Sequence, residues 1–197
     1  MSKSIQNMND ELEDYGLNNG IDYRIIIEFM RVMKKPNIYI WCNKEQIPKY
    51  LDIFAKGYGC SFDILIWQKT NATPLFCNKY LTDKEYCLYF RKGGYCQPQN
   101  YEDAKTIFNL PINIKDKDKF LHPTCKPLNI IETLIKNSSK EGDIILDTFL
   151  GSGTTAVACK NTNRNFIGFE INKKWYDIAN DRLNNIDANG QYSLFTN

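Results

Sequence analysis

The sequence predicts an α/β protein, a sheet with helices on both faces, folded as one domain. Two observations carry this. Short runs rich in Ile, Phe, Tyr and Trp alternate with longer segments of helical period. One of these runs, Ile144-Ile145-Leu146, ends in an acid, a Gly-x-Gly turn and two threonines able to open a helix. A chain of 197 residues is long enough for one sizeable core and needs no second domain.

Taken in order, the predicted strands are Asn37 to Cys42, Phe62 to Gln68, Glu85 to Arg91, Asp143 to Phe149 and Asn165 to Ile171. The predicted helices are Ile21 to Met33, Lys44 to Lys56, Pro127 to Ser138, Thr154 to Asn161 and Lys173 to Leu183. Pro127 suits a first helical turn, where its missing N–H costs nothing. The alternation breaks at Lys92 to Leu121, rich in Gly, Pro, Asn, Asp and Lys, which reads as a long loop, and loops of that length are usually functional or disordered.

Composition sets limits. Hydrophobic residues make up 43% and charged residues 24%, the balance of a globular chain rather than a disordered one. A net charge of +2 supplies no global field toward nucleic acid, so a basic DNA-facing surface has to be local. The seven cysteines lack zinc spacing and read as buried thiols of a reducing compartment, with no metal expected. The polar, acidic stretch Met1 to Asp14 has no signal-peptide core, and no apolar run is long enough to span a membrane, which predicts a cytoplasmic protein.

The turn Asp147-Thr148-Phe149-Leu150-Gly151-Ser152-Gly153-Thr154-Thr155 carries the chemistry. Gly151 and Gly153 let the backbone take unusual φ and approach a ligand closely, and the helix start presents a positive dipole end. A second strand follows and ends at Glu170, spaced as in a βαβ unit whose acid binds ribose hydroxyls. A nicotinamide dehydrogenase uses the same geometry, with a third Gly where this chain has Ala156, a residue some dinucleotide sites tolerate. Asp147 directly before the turn argues the other way: an anion there repels pyrophosphate and suits a cationic ligand such as S-adenosylmethionine, with its ammonium and sulfonium.

Asp-x-Phe-x-Gly-Ser-Gly-Thr-Thr resembles the first motif of the DNA N4-cytosine and N6-adenine methyltransferases. His122-Pro123-Thr124-Cys125-Lys126-Pro127 resembles the His-Pro-Thr-x-Lys-Pro signature that precedes the cofactor strand in the permuted, beta-class members. Trp67 to Pro74 resembles their Trp-x-Lys-x-Asn-x-x-Pro stretch, and Glu85 to Lys92 the strand after it. The resemblance covers nearly the whole chain and implies a Rossmann-like methyltransferase sheet in circularly permuted order, acting on an exocyclic amine of adenine or cytosine in DNA, as in restriction–modification. It implies S-adenosylmethionine as cofactor, with Asp147, Phe149, Gly151, Ser152, Gly153, Thr154 and Thr155 around it and Glu170 at the ribose. His122, Thr124 and Lys126 would close over its methionine end, and the loop Lys69 to Pro74 would lie beside the base pocket. Without the resemblance, the alternative reading of His122 to Pro127 is a Pro-rich turn capping a helix, which is compatible with the first, and Trp67 and Tyr86 to Phe90 are core aromatics.

One family element is missing. These enzymes gather the lone pair of the acceptor amine with a (D/N/S)-Pro-Pro-(Tyr/Phe/Trp) loop whose aromatic stacks on the flipped base. No Pro-Pro occurs in this chain. Asn71 to Phe76 has the wrong register for it, so the catalytic residue is left unassigned. The resemblance places the lost motif on a central first strand, just ahead of the helix at Ile21, and the expectation is a truncated methyltransferase. A split enzyme whose second chain supplies the strand, and a cofactor-binding remnant without catalysis, remain as alternatives. Cytosine-C5 chemistry needs a Pro-Cys nucleophile, which the chain lacks.

The expected organisation is thus a catalytic-half remnant over 1–91, a target-recognition loop over 92–121, a cofactor half over 122–185 and a tail over 186–197. Arg91, Lys92, Lys105, Lys115, Lys117 and Lys119 are candidates to meet phosphates in the recognition loop, which reads equally as a solvated loop. Expected partners are DNA and either a second chain or a homodimer. Gln191-Tyr192-Ser193-Leu194-Phe195 resembles the peptide that docks bacterial replication proteins on the sliding clamp, and reads also as a last strand.

Overall fold

A computed structural model of the chain describes residues 23–72, 80–112 and 125–185. Within them the order is α1 (Tyr23–Phe29), β1 (Asn37–Cys42), α2 (Ile47–Tyr50) continuing as a π-helical segment (Leu51–Gly57), β2 (Ser61–Lys69), β3 (Lys84–Arg91) and β4 (Ile107–Leu110). Then follow α3 (Leu128–Ser138), β5 (Ile144–Asp147), α4 (Thr154–Asn161), β6 (Asn165–Gly168) and α5 (Lys173–Asn184).

The strands form two sheets. The larger runs β1-β3-β2-β4, with β3 antiparallel to both β1 and β2 and β4 parallel to β2. The smaller is the parallel pair β5-β6, in which Asp147 lies opposite Gly168. Alternation in β3 divides the core between the two faces of the larger sheet. Leu88 and Phe90 pack with Ile40, Tyr50 and Phe54 under α1 and α2, and Cys87 and Tyr89 pack with Leu65, Trp67, Ile130 and Leu134 under α3.

Helix α3 joins the two sheets. Ile130 and Leu134, four apart and so on one stripe, face the larger sheet, whereas Ile131 and Ile135 on the adjoining stripe pack on Ala158 and Cys159 of α4. Trp41 of β1 and Ile145 of β5 lie against this second cluster. The amphipathic run that begins at Leu128 is therefore apolar on two stripes because it is covered on two sides.

Several predicted boundaries move. The first helix ends at Phe29 rather than Met33, because the chain from Met30 onward makes the tighter i→i−3 bonds, Met30 N–H to the Ile27 oxygen among them, as it approaches Pro36; its predicted start at Ile21 lies outside the described residues. The second starts at Ile47 rather than Lys44, since Pro48 fits only a first turn, and Leu51–Gly57 widens to π geometry. The break over Lys92 to Leu121 is not all loop. Ile107–Leu110 adds a fourth strand, and the Trp67 indole N–H donates to the Leu110 oxygen at 3.0 Å. Ahead of it, the Asn137 amide donates to the Asp103 oxygen at 2.7 Å, and the Gln97 N–H donates to the Asn137 oxygen. Four residues of weak alternation among polar neighbours hid this strand in the sequence.

Candidate functional site

The glycine turn forms between β5 and α4, at the carboxyl end of the parallel pair, which is where open α/β sheets hold ligands. Strand β5 stops at Asp147 because that carboxylate turns back to accept the Phe149 N–H at 3.0 Å, closing an Asx turn. The predicted continuation to Phe149 is therefore turn, not strand. β6 likewise stops at Gly168, although the Phe169 N–H still donates to the Asp147 oxygen and the Leu150 N–H to the Phe169 oxygen. A Cβ on Gly168 would lie 2.7 Å from the tip of the Leu150 side chain, which would have to shift to admit it.

Glu170 clamps the turn. One carboxylate oxygen accepts the Gly151 N–H and the other the Asn172 N–H, each at 2.8 Å. Each oxygen keeps a second lone pair for a further donor. Asn172 caps α5 by accepting from the Lys174 and Trp175 amides. Two carboxylates, Asp147 and Glu170, thus stand at the ends of neighbouring strands. Burial first, and then the field of Asp147, pushes the Cys159 thiol up to about 12. Phe149, Phe169 and Ile171 stand exposed near them, Ile171 at 83%. The apolar residues on either side of Glu170 were missed in the sequence, where they read simply as strand.

Gly153 begins α4 with φ +82°, a left-handed value, and a Cβ there would come within 3.0 Å of Ala179. Ser152 and Thr154 are buried. Their partners come from both sides of the turn. Arg182 of α5, itself 3% exposed, donates to the Ser152 oxygen at 3.2 Å and to the Thr154 hydroxyl at 3.1 Å. Cys125, also 3% exposed, sets its sulfur 3.4 Å from the Thr154 hydroxyl and accepts from the Ser152 hydroxyl at 3.7 Å. No local signal marks Arg182 as part of the site; a lone Arg on an amphipathic helix reads as solvated.

Of the predicted cofactor residues, the turn and Glu170 lie together. Thr155 is half-buried in the first turn of α4. His122 and Thr124 lie outside the described residues, as do Thr73 and Pro74 of the base-side loop, Lys115, Lys117 and Lys119, and the Gln191 to Phe195 tail. Lys126 is described, and its ammonium is held at the larger sheet, 3.0 Å from Glu85 and 5.6 Å from the Trp41 ring centre. Lys69 meets the other oxygen of Glu85 at 2.8 Å and lies 5.4 Å from the Trp67 ring. Burial alone would raise the Glu85 carboxyl, but the two ammonium groups outweigh it and hold it below the usual carboxylate range.

The six described cysteines are free thiols, four of them buried. Among the described residues, no helix is long and apolar enough to cross a membrane.

Comparison with known proteins agrees with this architecture. The type II methyltransferase M2.LlaDCHI of Lactococcus lactis subsp. cremoris is 37% identical over 177 residues, which cover 80% of this chain and 64% of that protein. The type II methyltransferase M2.DpnII of Streptococcus pneumoniae is 34% identical over 176 residues, with the same coverage. The chain thus spans about 64% of the length of these curated relatives. The crystal structure of the M1.HpyAVI-SAM complex superposes with a TM-score of 0.63 at 34% identity, covering 75% of this chain and 74% of that one. The model of the N6/N4 DNA methylase family matches residues 7–181. With the glycine turn, its two carboxylates and this match in agreement, the chain belongs to the N6/N4 DNA methylase family.

Proposed function

We propose that this chain binds S-adenosylmethionine at the Asp147 to Thr155 turn and serves transfer of its methyl group to an exocyclic amine of DNA, adenine N6 or cytosine N4. The observation that carries the reading is the pairing of Asp147 and Glu170 across the left-handed glycine turn. Asp147 spends one oxygen on the Phe149 amide and keeps lone pairs for a cation. Glu170 keeps acceptor capacity for ribose hydroxyls, and exposed Phe149 and Ile171 offer apolar surface to an adenine ring. That set of acceptors suits a cationic nucleoside better than a pyrophosphate. When bound, the cofactor would supply an electrophilic methyl group: the N–C bond would form as the sulfonium S–C bond breaks, leaving the thioether S-adenosylhomocysteine, and the proton of the amine would pass to solvent.

Titration calorimetry tests this. Heat with S-adenosylmethionine and none with NAD is expected, and the reverse pattern would remove the reading.

A second reading concerns the acceptor side. Among the described residues, β1 has a strand only on its β3 edge and β5 only on its β6 edge, while Trp41 and Ile145 from these two strands share one apolar cluster. An extended segment laid between them would join the two sheets. The reading is that a second chain supplies this segment together with the acceptor-handling loop. It predicts that the chain alone binds cofactor without transfer, so methyl transfer to duplex DNA by the chain alone would exclude it.

A further inference from the structure

The Lys69–Glu85–Lys126 cluster stands on the larger sheet, and its Lys126 end adjoins the glycine turn through Cys125. Lys69 closes β2, and two residues on, Asn71 accepts the Ile112 N–H at 2.6 Å, fixing the path of the chain after that strand. Lys126 stands between Cys125, whose sulfur touches Ser152 and Thr154 of the turn, and Pro127, the N-cap of α3. Glu85, on β3, gives one oxygen to each ammonium, at 2.8 and 3.0 Å.

The three side chains are only 14, 26 and 20% exposed, so the contacts are shielded from the solvent that weakens surface pairs. The two ammonium groups also lie near the rings of Trp67 and Trp41. These contacts make a continuous physical path: Glu85 to Lys126, Lys126 through one peptide to Cys125, and Cys125 to the turn. Moving Lys126 off the sheet would drag Cys125 off Ser152 and Thr154.

We propose that Glu85 is a positioning residue, which holds the Cys125–Pro127 segment on the cofactor turn by anchoring Lys126 to the larger sheet. The link to cofactor affinity rests on the reading of the turn as the S-adenosylmethionine site; the mechanical tie does not. Loss of Glu85 removes the carboxylate that both ammonium groups share, so the tie of Lys126 to the larger sheet weakens and the segment lifts.

The test uses the full chain and two readouts. Alkylation by iodoacetamide, mapped by peptide mass spectrometry, reports Cys125, with buried Cys159 and Cys60 as internal references for global unfolding. Calorimetry with S-adenosylmethionine reports the site. In Glu85→Gln, the rate of Cys125 relative to Cys159 and Cys60 is expected to rise at least tenfold, and the dissociation constant at least fivefold. Glu85→Asp restores most of both. In a Lys126→Met background, Glu85→Gln should change neither readout by more than about twofold, because its route is already cut.

An unchanged Cys125 rate in Glu85→Gln, or losses that add in the double variant, overturns the proposal. Should Glu85→Gln expose all three thiols, Lys126→Met decides: exposure of Cys125 alone supports the tie, and any other pattern overturns it. A wild-type chain that binds no S-adenosylmethionine but shows Glu85-dependent protection of Cys125 would remove the cofactor reading and keep the tie. Binding that ignores Glu85, with Cys125 equally indifferent, would do the opposite.

Discussion

Arg182 of α5 lies beneath the glycine turn, its guanidinium donating to the Ser152 oxygen at 3.2 Å and to the Thr154 hydroxyl at 3.1 Å. A buried arginine behind the glycine turn ties the loop to α5. Arg182→Met keeps most of the aliphatic volume and removes these donors, leaving two buried acceptors short of a partner. Urea unfolding is expected to show a loss of roughly 1–3 kcal/mol, and calorimetry a weaker affinity for S-adenosylmethionine. Full stability and affinity in the variant would show that the turn holds its shape unaided.

Gly153 and Gly142 allow the backbone and steric costs to be separated. Both have left-handed φ, +82° and +83°, but a Cβ on Gly153 meets Ala179 at 3.0 Å whereas one on Gly142 meets nothing within 4 Å. Gly142→Ala should cost about 1 kcal/mol from conformation alone. Gly153→Ala should cost about 2–4 kcal/mol, since overpacking adds to it. Equal urea midpoints for the two variants would contradict the contact with α5.

Asp147→Asn retains an oxygen for the Phe149 amide, so the Asx turn survives while the charge is lost. Stability is expected to change by less than about 1 kcal/mol. Affinity for S-adenosylmethionine should fall at least tenfold, a loss concentrated in the cationic end of the ligand. The matching observation is that the neutral analogue S-adenosylhomocysteine, which lacks the sulfonium charge, loses less.

Glu85 gives the fold an acid-sensitive tie. Its folded carboxyl titrates below the ordinary glutamate range, so across that range the unfolded chain binds the proton that the native chain refuses. Its contribution is therefore complete at neutral pH and is lost as pH falls through the depressed folded value. At pH 7, Glu85→Gln should lower the unfolding free energy by roughly 1–3 kcal/mol. The gap between variant and wild type should narrow steadily below the ordinary glutamate range. A gap that stays constant down to acid pH would mean that Glu85 is not ion-paired in the folded chain.

The turn was legible because everything that makes it lies together in the chain. An acid ending an apolar strand, glycines where φ must be positive and threonines opening a helix are local requirements, and local requirements leave a local trace. The same holds for β1, β2, β3 and α3, whose periodicities record the faces they bury. What surrounds the turn was decided only by folding. Arg182 lies 30 residues beyond Ser152 and looks like any helical arginine until α5 packs behind the turn. Nothing near Lys126 in the sequence indicates that its ammonium is held by Glu85 on the larger sheet, because that contact depends on how α3 leads the chain from one sheet to the other. β4 also escaped detection, since its order comes from the Ile66 to Lys69 edge of β2 and from the Trp67 hydrogen bond rather than from its own four residues. Sequence by itself determined which backbone can turn and which faces are apolar, while tertiary structure decided which distant charges and donors hold that turn in place.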